Sequence, residues 1–200
     1  DVKENVLQIT QRSELIEAQT SFVAYPDTNA LRIYTAIKNI SDKVIHLEDV
    51  SAFFCAGIPF DSQFTRFLQG HHKECQPMTR TLKDWGLDDF APNGQKRISF
   101  ANVGSWSSKE ELPQGILAWN GGQLMFQIES SSSWYYEISD ANGACYLYLS
   151  GANQNFCGWA CPLEPGASYQ TPAVALAFGA DLNDVIGNMT KYRRHIAKNY

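Results

Sequence analysis

Apolar and polar positions alternate with a period of two along most of this chain, and from residue 181 the spacing changes to that of a helix. The alternation over 13–25, 31–38 and 44–54 predicts three long strands. They are parted by Pro26-Asp27-Thr28-Asn29 and Asn39-Ile40-Ser41-Asp42, residue types that set or tolerate turn geometry, so an antiparallel meander is expected. The stretch 59–93 is polar and loop-like, and strand character resumes over 95–101. Residues 115–119 then face 123–129 across Asn120-Gly121-Gly122, where glycine allows positive φ without steric cost.

A second hairpin joins 134–139 to 144–150 across Asp140-Ala141-Asn142-Gly143. Its first strand puts Trp134, Tyr136 and Ile138 on one face and Tyr135, Glu137 and Ser139 on the other, the pattern of a half-exposed sheet. The last strand, 169–178, is almost unbroken in apolar character after Pro172, which places it centrally between two layers. Beyond it Leu182, Val185, Ile186, Met189, Tyr192 and Ile196 fall on one helical stripe, with Asp181 positioned as N-cap. The fold class is therefore all-β, an antiparallel two-layer sandwich over 1–180, followed by one C-terminal linker helix over 181–200.

Composition narrows the partners. Two hundred residues, 44% hydrophobic and 12% aromatic, suffice for one well-buried core. A net charge of −5 disfavours nucleic acid, whose phosphates reward clustered Lys and Arg. The one basic run, Lys191 to Lys198, sits where positive side chains complement the end of a helix dipole. No apolar run approaches the roughly 20 residues of a membrane-spanning helix, and Asp1 to Glu4 carry no apolar signal region. Five cysteines, Cys55, Cys75, Cys145, Cys157 and Cys161, are an odd set that fits reduced thiols in a cytoplasm. Cys157 and Cys161 supply only half of a zinc ligand set, so no metal or other cofactor is expected. The sequons at Asn39 and Asn188 read as chance matches.

Two segments of the second half, Gly104-Ser105-Trp106-Ser107-Ser108-Lys109-Glu110-Glu111-Leu112-Pro113-Gln114-Gly115 and Pro162-Leu163-Glu164-Pro165-Gly166-Ala167-Ser168-Tyr169-Gln170-Thr171-Pro172, stand in an order that resembles the amino-terminal β-supersandwich domain of glycoside hydrolase family 36, the α-galactosidases and their relatives. The earlier Leu31-Arg32-Ile33-Tyr34-Thr35, Lys38-Asn39-Ile40-Ser41 and Ile45-His46-Leu47-Glu48-Asp49-Val50-Ser51-Ala52-Phe53 are similar to that family's paired strands. Lys191-Tyr192-Arg193-Arg194-His195-Ile196 resembles the helix that leads into its catalytic (β/α)8 barrel. The resemblance implies a galactose mutarotase-like supersandwich whose opening strands precede Asp1. It also implies that the two catalytic aspartates lie on a barrel beyond Tyr200, and that this portion alone is inactive. Gly70-His71-His72-Lys73-Glu74-Cys75-Gln76 departs from the aromatic and arginine that many members carry there.

The residues themselves agree that no reaction centre is present. A retaining glycosidase needs two carboxyl groups about 5 Å apart on separate elements. The adjacent pairs Asp88-Asp89 and Glu110-Glu111 point opposite ways on an extended backbone, and Glu129 and Glu137 are expected at exposed strand positions. His71 and His72 allow an aldose epimerase as the weakest alternative. A contact role suits the same region better. Arg66, His72, Glu74, Gln76 and Trp85 bracket a long loop, and the resemblance implies that such loops wall a sugar pocket, sometimes that of a neighbouring protomer in a homo-oligomer. Trp106, flanked by Ser105 and Ser107, is the other candidate for stacking on a pyranose. Trp119, Trp134 and Trp159 lie within strand patterns and are assigned to core. A free-standing carbohydrate-binding module using Trp85 and Trp106 is the main alternative.

Overall fold

The structure, a computed structural model, describes residues 5–88, 95–141 and 143–197. Asp1 to Glu4, Asp89, Asn93, Asn142 and Lys198 lie outside the described residues. The elements in chain order are β1 (Val6–Arg12), β2 (Ile16–Ala24), β3 (Ala30–Asn39), β4 (Ile45–Leu47), β5 (Ser51–Ile58), β6 (Gln63–Leu68), β7 (Gln76–Thr81), β8 (Arg97–Asn102), β9 (Glu111–Trp119), β10 (Gly122–Ile128), β11 (Trp134–Ala141), β12 (Ala144–Ser150), α1 (Gln154–Cys157), β13 (Cys161–Leu163), β14 (Ser168–Gln170), β15 (Val174–Gly179) and α2 (Leu182–Ala197).

Every strand pairing is antiparallel. A nine-stranded sheet runs β1-β2-β3-β15-β10-β9-β6-β7, with β14 also on β3, and a four-stranded sheet runs β5-β12-β11-β8. Their facing sides form the main core, in which Ile33, Phe64, Leu117 and Phe126 of the large sheet meet Tyr136, Ile138, Leu147 and Leu149 of the small one. The large sheet is covered on its other side by α2, where Val185, Met189 and Tyr192 pack on Ile116, Met125, Ala175 and Ala177. β15 is therefore buried on both faces, which is why its sequence is a continuous apolar run rather than an alternation. Its alanines and Gly179 let the helix approach: a Cβ on Gly179 would fall 2.4 Å from the Val185 nitrogen.

Several expectations change. The predicted strand 13–25 is the second arm of a β1–β2 ribbon, turned at Ser13, whose hydroxyl accepts from Leu15 and Ile16 amides at 3.2 and 3.1 Å. The loop-like 59–93 contains β6 and β7, and the strand 169–178 is interrupted at Thr171-Pro172-Ala173, where proline has no N–H for the ladder. The segment 103–110 is loop, with β9 starting only at Glu111. Asp181 caps α2 as expected, accepting from the Asp184 amide at 2.9 Å. The helix is rotated from its predicted stripe, however, so that Leu182 and Ile186 are exposed while Asn188 is buried and donates to the Phe178 carbonyl at 2.9 Å. Trp134 is core, but Trp119 at the end of β9 is 36% exposed and Trp159 is half-buried.

The small sheet does not cover the whole of the large one. Registers place Leu7 and Ile9 of β1 on the same face as Phe22 and Ile33, yet they are 50% and 46% exposed. Among the described residues the outer edge of β5 has no partner strand, and a cavity of about 450 Å³ lies between it and Ile9, Phe22 and Ile33.

Candidate functional site

Alternation along β6 decides which side chains enter the sandwich. Phe64 is fully buried between the sheets, and Arg66, two residues on, projects to the same side. Its pairing with β9 is irregular between Arg66 and Leu68, and Glu111 at the start of β9 places a carboxylate oxygen 2.9 Å from Arg66 Nη1. Both side chains are nearly enclosed, at 18% and 16% exposure. The guanidinium carbon lies 4.8 Å from the Phe100 ring centre and 5.4 Å from that of Trp85. Burial pushes the Glu111 carboxyl above its ordinary range, outweighing the attraction of Arg66, while the Glu110 charge adds to the rise.

Trp85 is fixed by a compact turn after β7. The Thr81 amide donates to Asp84 at 3.2 Å, the Asp84 amide returns the bond to the Thr81 hydroxyl at 3.0 Å, and Leu82 and Leu87 are fully buried on either side. Arg80 also sits over the Trp85 ring, at 5.3 Å. With two guanidinium groups on its ring, Trp85 is engaged in cation–π contacts within the protein.

The remaining sequence candidates belong to two loops. His72 and Glu74 are exposed on the β6–β7 connection and Gln76 is exposed at the start of β7; the His71 and His72 rings are 3.8 Å apart and His72 and Cys75 take φ of 64° and 53°. Glu74 engages through its backbone, its carbonyl accepting from Gln76 Nε2 at 3.1 Å. The Cys75 amide donates to the Gln69 side chain at 2.9 Å, and the Gln69 amide donates to the Glu110 carbonyl at 2.8 Å, which joins this turn to the loop 103–110. In that loop Ser105 is exposed, Trp106 is 65% exposed, and the Ser107 carbonyl accepts from the indole of buried Trp134 at 2.6 Å.

The last turns of α2 reach the same end. Arg193 donates to Gln114 and Gln127, which face each other across β9 and β10. Burial lowers its pKa, and Cys75 lies near enough to oppose that shift. The structure thus brings Arg66 and Trp85 together in the sandwich, with His72 and Glu74 on one adjoining loop, Gln76 where that loop enters β7, and Ser105, Trp106 and Ser107 on another loop.

No carboxylate pair of glycosidase type is formed by these residues. Glu110 points to solvent beside Lys109 while Glu111 turns inward, as neighbours on an extended backbone should. Glu129 and Glu137 are not exposed as expected. Glu129 is held by Arg32 and Tyr192, and Glu137 by Arg97, Tyr135 and Tyr146, each against its own sheet. Tyr135, Glu137 and Ser139 are buried, so both faces of β11 are covered. Glu111 and Tyr136 join the Arg66 cluster, through the ion pair and through Phe100, without a sequence signal: the first sits in a doublet that reads as solvated, the second in a plain core alternation. Among the described residues no cluster of three or more His, Cys, Asp or Glu is placed to hold a metal ion, and no helix is long and apolar enough to cross a membrane.

No family model and no curated protein matches the sequence. Solved structures do match. The α-galactosidase from Lactobacillus brevis superposes with a TM-score of 0.78 at 16% identity, covering 96% of this chain and 26% of that one. The family 36 α-galactosidase AgaA from Geobacillus stearothermophilus gives 0.76 at 18% identity, covering 90% and 24%. The galactosidase domain of the α-galactosidase–sucrose kinase AgaSK gives 0.74 at 20% identity, covering 88% and 24%. The chain spans about a quarter of the length of each, and at these identities the likeness is one of fold: this chain has the fold of an N-terminal domain of family 36 α-galactosidases.

Proposed function

We propose that this chain is the non-catalytic N-terminal domain of an α-galactosidase-like retaining glycoside hydrolase. It supports a catalytic (β/α)8 barrel, shapes the rim of the sugar pocket and contributes to an oligomer interface. The observation that carries this reading is the convergence, at one end of the sandwich, of the last turns of α2 on β9 and β10 with Gln76 at the start of β7 and the loops bearing His72, Glu74 and Trp106. A barrel entered from α2 would meet those loops first. Glu110, Glu111, Glu129 and Glu137 form no converging carboxylate pair, in keeping with catalysis residing elsewhere.

Residues 1–180 form the sandwich in this proposal and 181–200 the connector, with further strands ahead of Asp1 filling the unpaired edge of β5 over Leu7 and Ile9. The substrate would be a terminal α-galactoside; forms of AgaA have been solved with stachyose and with raffinose. A cytoplasmic location is supported by five free thiols. The polypeptide encoded beyond Tyr200 tests the proposal: a barrel with an aspartate on each of two strands is expected, and an unrelated sequence overturns it.

One observation favours a second reading. Trp106 presents 65% of its surface to solvent beside exposed Val103, which suits a free-standing carbohydrate-binding module. Saturable binding of galactose or raffinose by the isolated chain, abolished by Trp106→Ala, supports the module; no loss on that substitution excludes it.

A further inference from the structure

Arg32, Arg66 and Arg193 are the half-buried arginines of this chain, and the first two each hold an acid. Arg32 meets Glu129 at 2.8 Å and Arg66 meets Glu111 at 2.9 Å. Arg193 forms no ion pair among the described residues. Its Nε donates to Gln127 Oε1 at 2.8 Å and its Nη2 to Gln114 Oε1 at 2.7 Å, so both of its acceptors are neutral.

A guanidinium stays charged at any physiological pH, and a charge drawn out of water is costly unless it is paired. Burial lowers the Arg193 pKa, and the groups whose charge opposes that shift are the Cys75 thiol and the Tyr192 hydroxyl rather than a carboxylate. The Nη1 group makes no hydrogen bond to a described residue and is not among the buried atoms closed to solvent, so an incoming group can reach it. Lys191 and Arg194 are exposed on the same turns, which makes the end of α2 basic on a chain whose net charge is −5. Beyond β9, the same side of the large sheet presents the exposed Thr65–Thr79 hydroxyl pair of β6 and β7, a polar ledge beside the guanidinium.

We propose that Arg193 is a docking residue whose Nη1 receives a carboxylate side chain of the polypeptide packed against the end of α2. This rests on the proposed function in naming that polypeptide as the barrel, and it adds the chemistry of the contact: an Asp or Glu held by Arg193 as Glu129 is held by Arg32. Charge complementarity selects the acid. A cationic group is repelled by Arg193, Lys191 and Arg194 together, and a neutral one leaves the half-buried charge as it is with Gln114 and Gln127.

The whole chain, labelled with nitrogen-15, is titrated at constant ionic strength with acetate, which stands in for the carboxylate, and separately with chloride. The side-chain Nε–H resonance of Arg193, assigned along the backbone and checked with Arg193→Lys, is followed beside that of Arg12, which is exposed and has no ion pair among the described residues. A saturable movement of Arg193 with acetate, about tenfold or more tighter than at Arg12, is expected, because a half-buried charged hydrogen bond outweighs an exposed ion pair. An equal response of the two arginines overturns the proposal, and so does a response of Arg193 to chloride as strong as to acetate; the two glutamines are then the whole environment of the guanidinium. Should Arg193→Lys unfold, the parent chain still decides, since the comparison with Arg12 needs no variant. Failure here leaves the α-galactosidase reading intact, since that stands or falls on the polypeptide beyond Tyr200.

Discussion

The hydroxyl of Tyr192 on α2 donates to the carboxylate of Glu129 just past β10, and Arg32 of β3 closes on the same carboxylate at 2.8 Å. One half-buried acid thereby fastens the helix to the sheet that it covers. Burial first, and then the bond to Glu129, push the Tyr192 pKa upward. Tyr192→Phe keeps the ring packing and removes the bond, so a loss of about 1–3 kcal/mol is expected, read as a lower urea midpoint at unchanged slope. Tyr192→Ala should lose more, about 3–5 kcal/mol.

Gly115 closes the segment that begins at Gly104, and the core explains it. A Cβ there would lie 2.7 Å from both Phe126 and Phe64, whose rings stack 6.5 Å apart. Gly115→Ala should therefore destabilise the chain by about 1–3 kcal/mol through overpacking, despite adding only a methyl group. A melting temperature equal to that of the parent would refute this close approach.

Glu111 gives the sandwich a pH response of definite sign. Its proton is held more tightly in the folded chain than in the unfolded one, so its contribution favours the fold below the ordinary carboxyl value of 4.5 and is lost as pH rises through the raised folded value. Glu111→Gln mimics the protonated form at every pH. The unfolding free energy of the parent relative to that variant should fall as the pH rises above the ordinary value of 4.5; a rise there would show that the ion pair with Arg66 dominates instead.

Thiol reactivity should divide by burial. Cys145 is enclosed in the core and its pKa is pushed up to about 12, whereas Cys75 is exposed on the β6–β7 turn. Iodoacetamide at mildly alkaline pH should label Cys75 in the folded chain and Cys145 only after denaturation, as read by mass spectrometry.

The legible parts of this fold are those whose burial is simple. β15 and α2 were readable because one is apolar on both faces and the other has a helical period, and both hairpins were readable from their Asn, Asp and Gly turns. β1 was hidden because six of its seven residues are exposed, and β6 because Arg66 interrupts its apolar positions. The Arg66 cluster was half visible: Arg66 and Trp85 stand out as residue types in a polar stretch, but Glu111 and Tyr136 join them only through a register shift and an inter-sheet contact by way of Phe100 that alternation alone does not encode. Trp119 misleads for a related reason, since its strand pattern is that of core while its place at the tip of β9 leaves it partly in solvent.

Hydrolysis of an aryl α-galactoside by the purified 200-residue chain is the most direct measurement of whether catalysis lies outside it. No release of the aryl group above buffer is expected, because Glu111, Glu129 and Glu137 are each engaged by an arginine while Glu110 points to solvent, and the four do not pair as a glycosidase's acid and nucleophile do. Turnover in the ordinary enzymatic range, on the order of 1–1000 per second, would contradict a supporting role and place the acid and nucleophile within these residues.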